Sequence, residues 1–235
     1  MITSPANERL KRIRHLQSAR WRRKLGLFAV EGEDLVAAGL AAGLEPLDVL
    51  RAGEDVEPPL LAAVSTLPHP PREVAVFRAA DLPQLSASDN LSQGLGLWYI
   101  ADPGNVGTLL RAADAFGPAF VALSEGCADP TGQKTLRAAA GAIFRVPICR
   151  FDEAPGRRVG LVARGGTPLS ELDLAEPTTF VLGSEREGLP DEVLRSCDAV
   201  ATIPQTGEAE SLNVAMAGTI ALYERSRRDL SAFAR

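Results

Sequence analysis

From residue 95 to residue 203 short apolar segments alternate with helix-patterned ones, and each apolar segment stays apolar along its length. Segments 95–100, 119–123, 144–148, 159–163, 178–182 and 200–203 read as strands. Segments 106–116, 133–140 and 212–228 read as helices, with shorter helical turns near Ser170 and over 191–197. A strand that is apolar on both sides must be covered on both sides, and helices between successive strands make the covering crossovers. The pattern therefore predicts an α/β fold, a mostly parallel sheet flanked by helices. In such sheets ligands bind beyond the carboxyl ends of the strands. The loops after Ile100, Leu182 and Ile203 are the places where a site is expected.

Upstream, 7–24 reads as one or two short helices and 27–30 as a strand. Glu31-Gly32-Glu33-Asp34 then opens a helix through 35–40 with acids at its positive end. Segments 47–50 and 74–77 add two strands, separated by a helix-or-loop stretch broken by Pro58, Pro59, Pro68, Pro70 and Pro71. This describes a small α/β domain. The polar run from Ser86 to Gly94 has linker composition, which divides the chain into residues 1–90 and 91–235.

Uncharged runs such as 35–44 and 58–71 are too short or too proline-broken to span a bilayer, and 1–17 lacks the apolar core of a secretion signal, so a cytoplasmic protein is expected. Cys127, Cys149 and Cys197 are odd in number and not in metal-ligand spacing, and read as reduced, buried thiols. With only His15 and His69 available, neither a histidine metal site nor a Ser-His-Asp triad is expected. The net charge of -5 conceals an asymmetry. Arg9, Lys11, Arg12, Arg14, Arg20, Arg22, Arg23 and Lys24 fall in one acid-free segment, and the other 17 of the 25 basic residues face all 30 acids. Such a segment either displaces counterions from RNA or DNA, or is a solvated helix face with no partner. Trp21 within it could stack on a base or pack on its own domain.

The loop after Ile100 reads Asp102-Pro103-Gly104-Asn105-Val106-Gly107-Thr108-Leu109-Leu110-Arg111. Asn105 reads as a helix N-cap, and the stripe of Leu109, Ala112, Ala113 and Phe116 leaves Arg111 on another face, to hold a phosphate or to pair with Asp114. The loop after Leu182, Gly183-Ser184-Glu185-Arg186-Glu187-Gly188, brackets a charged turn with two glycines that either admit a ligand or simply make the turn. The stretch from Thr202 to Ala217 is a strand-to-helix corner. Pro204 stops the strand, and Ser211 or a neighbour arrives at the helix N-terminus. Ile203 and Leu212 are placed to hold an apolar ring, or Ser211 and Asn213 only cap the first turn.

Together, Asp-Pro-Gly-Asn-Val-Gly-Thr-Leu-Leu-Arg, Val-Leu-Gly-Ser-Glu-Arg-Glu-Gly-Leu-Pro and Ile-Pro-Gln-Thr-Gly-Glu-Ala-Glu-Ser-Leu-Asn-Val-Ala-Met-Ala resemble, in this order, the three signature motifs of the SpoU family of RNA ribose 2'-O-methyltransferases. The resemblance covers roughly 95–223. The basic start, with Phe28-Ala29-Val30-Glu31-Gly32, is similar to the family's N-terminal RNA-binding domain. Residue pattern alone implies an unknotted sheet. The resemblance implies a deep C-terminal trefoil knot, S-adenosylmethionine as cofactor, an RNA substrate with ribosomal RNA favoured over tRNA, a homodimer in which the helix around 216–228 lies near the contact, and no metal. It also implies cofactor contacts at Leu182, Gly183, Ile203, Ser211 and Leu212, with Arg111, Asn105, Glu185, Ser211 and Asn213 forming the reactive site. Glu185 or Glu210 would face the positive sulfonium.

Overall fold

The computed structural model describes residues 1–86, 89, 91–207 and 210–233, with side chains through 228. Helices α1 (Glu8–Leu16) and α2 (Ala19–Leu25) lead into strand β1 (Leu27–Glu31), followed by α3 (Glu33–Ala41), β2 (Asp48–Arg51), α4 (Pro58–Ala62) and β3 (Glu73–Arg78). The three strands form an antiparallel sheet in the order β1-β3-β2. Alternate residues of β1 and β3 supply two cores. Ala29, Val74 and Val76 face Leu10, Ile13 and Leu16, while Phe28, Ala75 and Phe77 face α3 together with Leu136, Ile143 and Phe144.

The second sheet comprises β4 (Gln93–Leu97), β5 (Ala119–Leu123), β6 (Ile148–Arg150), β7 (Arg157–Leu161), β8 (Thr167–Pro168), β9 (Thr178–Leu182) and β10 (Ala199–Thr202). Its order is β6-β5-β4-β9-β7-β10-β8, and every pairing is parallel. Helix α5 (Pro103–Ala115) packs against α6 (Gln133–Ala139) and α8 (Val214–Phe233); α7 (Asp191–Arg195) lies near Val181 and Trp98. The central core gathers Leu95, Leu97, Leu109, Leu110, Phe180, Leu182 and Leu222, all buried.

Several sequence boundaries shift. The strand expected over 144–148 is displaced to Ile148–Arg150, because Phe144 lies in a 3-10 turn and places its ring 5.6 Å from Phe77 and 6.4 Å from Phe28. Its apolar character belongs to the core under the first sheet. The strand expected over 95–100 runs from Gln93 to Leu97, so part of the presumed linker is sheet; Ala87, Ser88 and Asn90 of that linker lie outside the described residues. Two-residue β8 carried no apolar run, since its proline fits only an edge strand. All three cysteines are half-buried rather than buried, and burial pushes the Cys149 thiol up to about 11.

The two sheets are also joined by polar contacts. Arg22, only 7% exposed, donates to Asp129 Oδ2 at 2.6 and 3.0 Å and to the carbonyls of Leu16 and Gln17. Burial alone would raise the Asp129 carboxyl, but hydrogen bonds from Thr131 and Arg22, with the Arg22 charge, hold it below its ordinary value. Gln133 donates to the Ala29 carbonyl at 2.8 Å, adding a second tie to β1. Among the described residues no helix is long and apolar enough to cross a membrane.

Candidate active site

A pocket of about 730 Å³ opens beyond the carboxyl ends of β7, β9 and β10, where a parallel sheet leaves room between diverging loops. Its walls include Leu161, Leu182, Gly183, Ile203, Leu212 and Ala217, and its rim carries Glu185, Glu187 and Glu210. The cofactor-contact residues expected from the sequence thus line one cavity. The Leu161–Ala163 segment and Gln205 also line it, and sequence reading missed them because β7 carries no motif.

The loop after β9 is a tight turn. Gly188 N–H donates to the Ser184 carbonyl at 2.9 Å and Gly188 has φ +67°, so that glycine makes the turn. Gly183 has a different role: a Cβ there would lie 2.1 Å from the carbonyl carbon of Gly188 and 2.4 Å from the amide of Leu189. Backbone meets backbone at this wall of the pocket, and no side chain fits between.

The start of α5 corrects the sequence reading. The N-cap is Asp102, whose Oδ1 accepts from Asn105 N–H at 2.9 Å, with Pro103 in the first turn. Asp followed by Pro is an ordinary helix-start signature, so this was readable. Relieved of capping, the Asn105 side chain donates to Glu185 Oε1 and accepts from Asn213 Nδ2 at 3.2 Å. Asn213, rather than Ser211, caps α8, its Oδ1 accepting from Ala215 N–H at 2.9 Å and Met216 N–H at 3.3 Å. One chain of side-chain hydrogen bonds therefore joins all three loops: Glu185, Asn105, Asn213. Ser211 stands exposed on the pocket wall, and its hydroxyl makes no hydrogen bond among the described residues.

Asn105→Asp is expected to lower Tm by about 2–4 °C, since it replaces a donor to Glu185 with a second carboxylate, a loss of about 1 kcal/mol at a half-exposed site. Thermal unfolding checks this. An unchanged Tm would mean that the tie contributes nothing to the fold.

Arg111 is exposed on α5 and forms no hydrogen bond or ion pair among the described residues. The pairing with Asp114 does not occur, because Arg145 takes that carboxylate at 2.7 and 3.0 Å. A guanidinium left in solvent on the helix that carries Asn105 remains available for a phosphate.

The basic segment divides. Arg9 holds Asp48 and the Val49 carbonyl, Arg12 approaches Asp48 at 3.7 Å, Lys11 pairs with Glu8, and Arg22 is buried as described. Arg22 is thereby withdrawn from any RNA-facing set, its guanidinium consumed within the fold. Trp21 stacks on His15 at 4.4 Å, with Lys24 Nζ 4.6 Å from its ring, so it packs on its own domain. Arg14, Arg20 and Arg23 are exposed and unpaired among the described residues.

The model of the SpoU rRNA Methylase family matches residues 94–223, more than half of the chain. A relative from Bacillus subtilis, 23S rRNA (guanosine(2553)-2'-O)-methyltransferase RlmP, is 31% identical over 94% of this chain and 97% of its own. The AdoMet-bound rRNA methyltransferase from Sinorhizobium meliloti superposes with a TM-score of 0.83 at 28% identity, covering 97% of each chain. The SpoU methyltransferase AviRb from Streptomyces viridochromogenes, in complex with AdoMet, gives a TM-score of 0.85 at 26% identity over 96% of this chain and 99% of its own. With three motif loops tied around one pocket and these relatives matched along nearly its whole length, the chain belongs to the SpoU rRNA methylase family.

Proposed function

We propose that this protein transfers a methyl group from S-adenosylmethionine to a ribose 2'-hydroxyl of ribosomal RNA, acting in the cytoplasm. The observation that carries the reading is the hydrogen-bonded chain Glu185–Asn105–Asn213 beside the pocket, with Arg111, unpaired among the described residues, on the same helix as Asn105. The pocket suits this cofactor. Leu182, Ile203 and Leu212 offer an apolar wall for a purine, backbone at Gly183 can approach closely, and the acidic rim suits a cation. Bound there, S-adenosylmethionine supplies a methyl already activated on a sulfonium.

What the chain must add is orientation of the ribose hydroxyl and a path for its proton. A guanidinium stays protonated, so Arg111 does not serve as the base. It would fix the neighbouring phosphate and orient the ribose hydroxyl. The open rim would let the hydroxyl proton pass to solvent. Glu185, held by Asn105 at the pocket's edge, would stand where a cationic cofactor binds.

Three further elements belong to this reading. Residues 1–90 form an RNA-holding domain, presenting Arg14, Arg20, Arg23 and Lys24. The loops after β9 and β10 form a trefoil knot around the cofactor. Two copies pair through the knotted domain, supported by Met216, Ile220 and Tyr223, which are exposed at helical spacing on α8. Incubating the protein and labelled S-adenosylmethionine with unmodified large-subunit ribosomal RNA and with tRNA tests the central claim. Ribose methylation of the ribosomal transcript is expected; label in neither RNA would sink the reading, and label in tRNA alone would move the substrate.

Reversing Arg20, Arg23 and Lys24 to glutamate is expected to weaken RNA binding and flatten its salt dependence, by about 0.7–0.9 in log–log slope for each phosphate no longer neutralised. Titration at several salt concentrations checks this, and an unchanged slope would make the segment a solvated face.

A further inference from the structure

Just beyond β4 the backbone at Tyr99 is left-handed, with φ +54°, a conformation that non-glycine residues rarely adopt. The position is firmly held. Trp98 N–H donates to the Leu182 carbonyl at 2.8 Å, and Tyr99 N–H donates to Ser124 Oγ at 2.9 Å. Tyr99 is thus fixed between the ends of β9 and β5, three residues before the Asp102 cap of α5. Its ring lies on Gly126, where a Cβ would come within 2.6 and 2.7 Å of ring carbons, so that glycine leaves the ring its seat. Trp98 stands beside it at 5.3 Å, tilted by 55°.

Even so, Tyr99 remains 50% exposed, and its hydroxyl has no hydrogen-bond partner among the described residues. A half-exposed ring on a strained backbone serves the fold less well than glycine would. Strain of this kind is retained where a site uses it. The position lies beyond the carboxyl end of β4, outside the pocket lining but next to Trp98, whose N–H holds the pocket-lining Leu182, and it leads into the Asn105 helix. Unpaired RNA bases are recognised by stacking on exposed aromatic rings.

Building on the reaction proposed above, we propose that Tyr99 is a stacking platform for an unpaired RNA base beside the target ribose. The phenol ring, not its hydroxyl, makes the contact, and the ligand class is a base of single-stranded or looped RNA.

The test compares Tyr99→Gly and Tyr99→Phe in the full chain, using unmodified large-subunit ribosomal RNA transcript. Glycine relieves the left-handed backbone, so Tyr99→Gly is expected to keep or raise Tm and leave the Kd for S-adenosylmethionine unchanged. Its KM for the transcript should rise about 5- to 150-fold, the range for losing one base–aromatic stack. Tyr99→Phe should match wild type. A Tyr99→Gly enzyme with wild-type KM overturns the proposal, as does sedimentation showing that this variant dissociates a dimer, which would assign the ring to contact between copies. If wild type methylates no transcript, the enzymatic reading fails and the platform is judged by photo-crosslinking a single-stranded RNA oligonucleotide carrying 5-iodouridine. A crosslinked peptide containing Tyr99 supports the platform, and its absence overturns it.

Discussion

Replacing Arg111 with alanine is expected to lower kcat for ribose methylation by about 100- to 1,000-fold, the usual effect of losing one preorganised charge at a reacting centre. The Kd for S-adenosylmethionine should stay as in wild type, because Arg111 does not line the pocket. Its guanidinium is already free: Arg145 occupies Asp114, so removing Arg111 breaks no polar interaction among the described residues and should leave Tm unchanged. Arg111→Lys should recover only part of the rate, since an ammonium cannot grip a phosphate in the fork geometry of arginine. Calorimetry with the cofactor and single-turnover methylation separate binding from chemistry. Full activity in the alanine variant would remove Arg111 from the mechanism.

Gly183→Ala is expected to act oppositely, losing cofactor affinity before anything else. The added methyl group would sit 2.1 Å from the carbonyl carbon of Gly188, and neither partner is a flexible side chain that could swing aside. Overpacking of this kind costs about 1–3 kcal/mol. The shift that relieves it must move the loop between β9 and α7, which is a wall of the pocket and carries Glu185. Cofactor Kd should therefore rise about 2- to 12-fold if half of that strain is relieved through the wall. Isothermal titration and thermal unfolding both read this. A variant with wild-type affinity and Tm would show that the loop accommodates a side chain.

The contrast between these substitutions reflects what local sequence encodes. The strands at 119–123 and 178–182 were legible to the residue, because continuous apolar and β-branched runs have one way to be buried. Phe144 misled for the same reason: an apolar side chain announces that it will be buried, not in which core, and here the core belongs to the first sheet. Arg22 looked like its neighbours Arg20 and Arg23, since nothing local reveals the distant Asp129 that consumes it. At the site, the predicted strand ends pointed to all three loops, and the residues within them came from the family resemblance. Their mutual hydrogen bonds depend on which residue caps α5, and reading Asn105 as the cap hid its real partners, Glu185 and Asn213. Tyr99 carried no sequence signal, because its significance lies in a backbone angle.

Phe144, Ile143 and Leu136 come from the methylating half of the chain yet complete the hydrophobic underside of the first sheet. A hinge would have to tear this shared core open, so the basic helices and the reaction pocket keep a fixed separation. If the basic helices hold RNA as proposed, that RNA would offer the pocket only those nucleotides lying one set span away. Target choice would then be a measurement of length as much as a reading of bases.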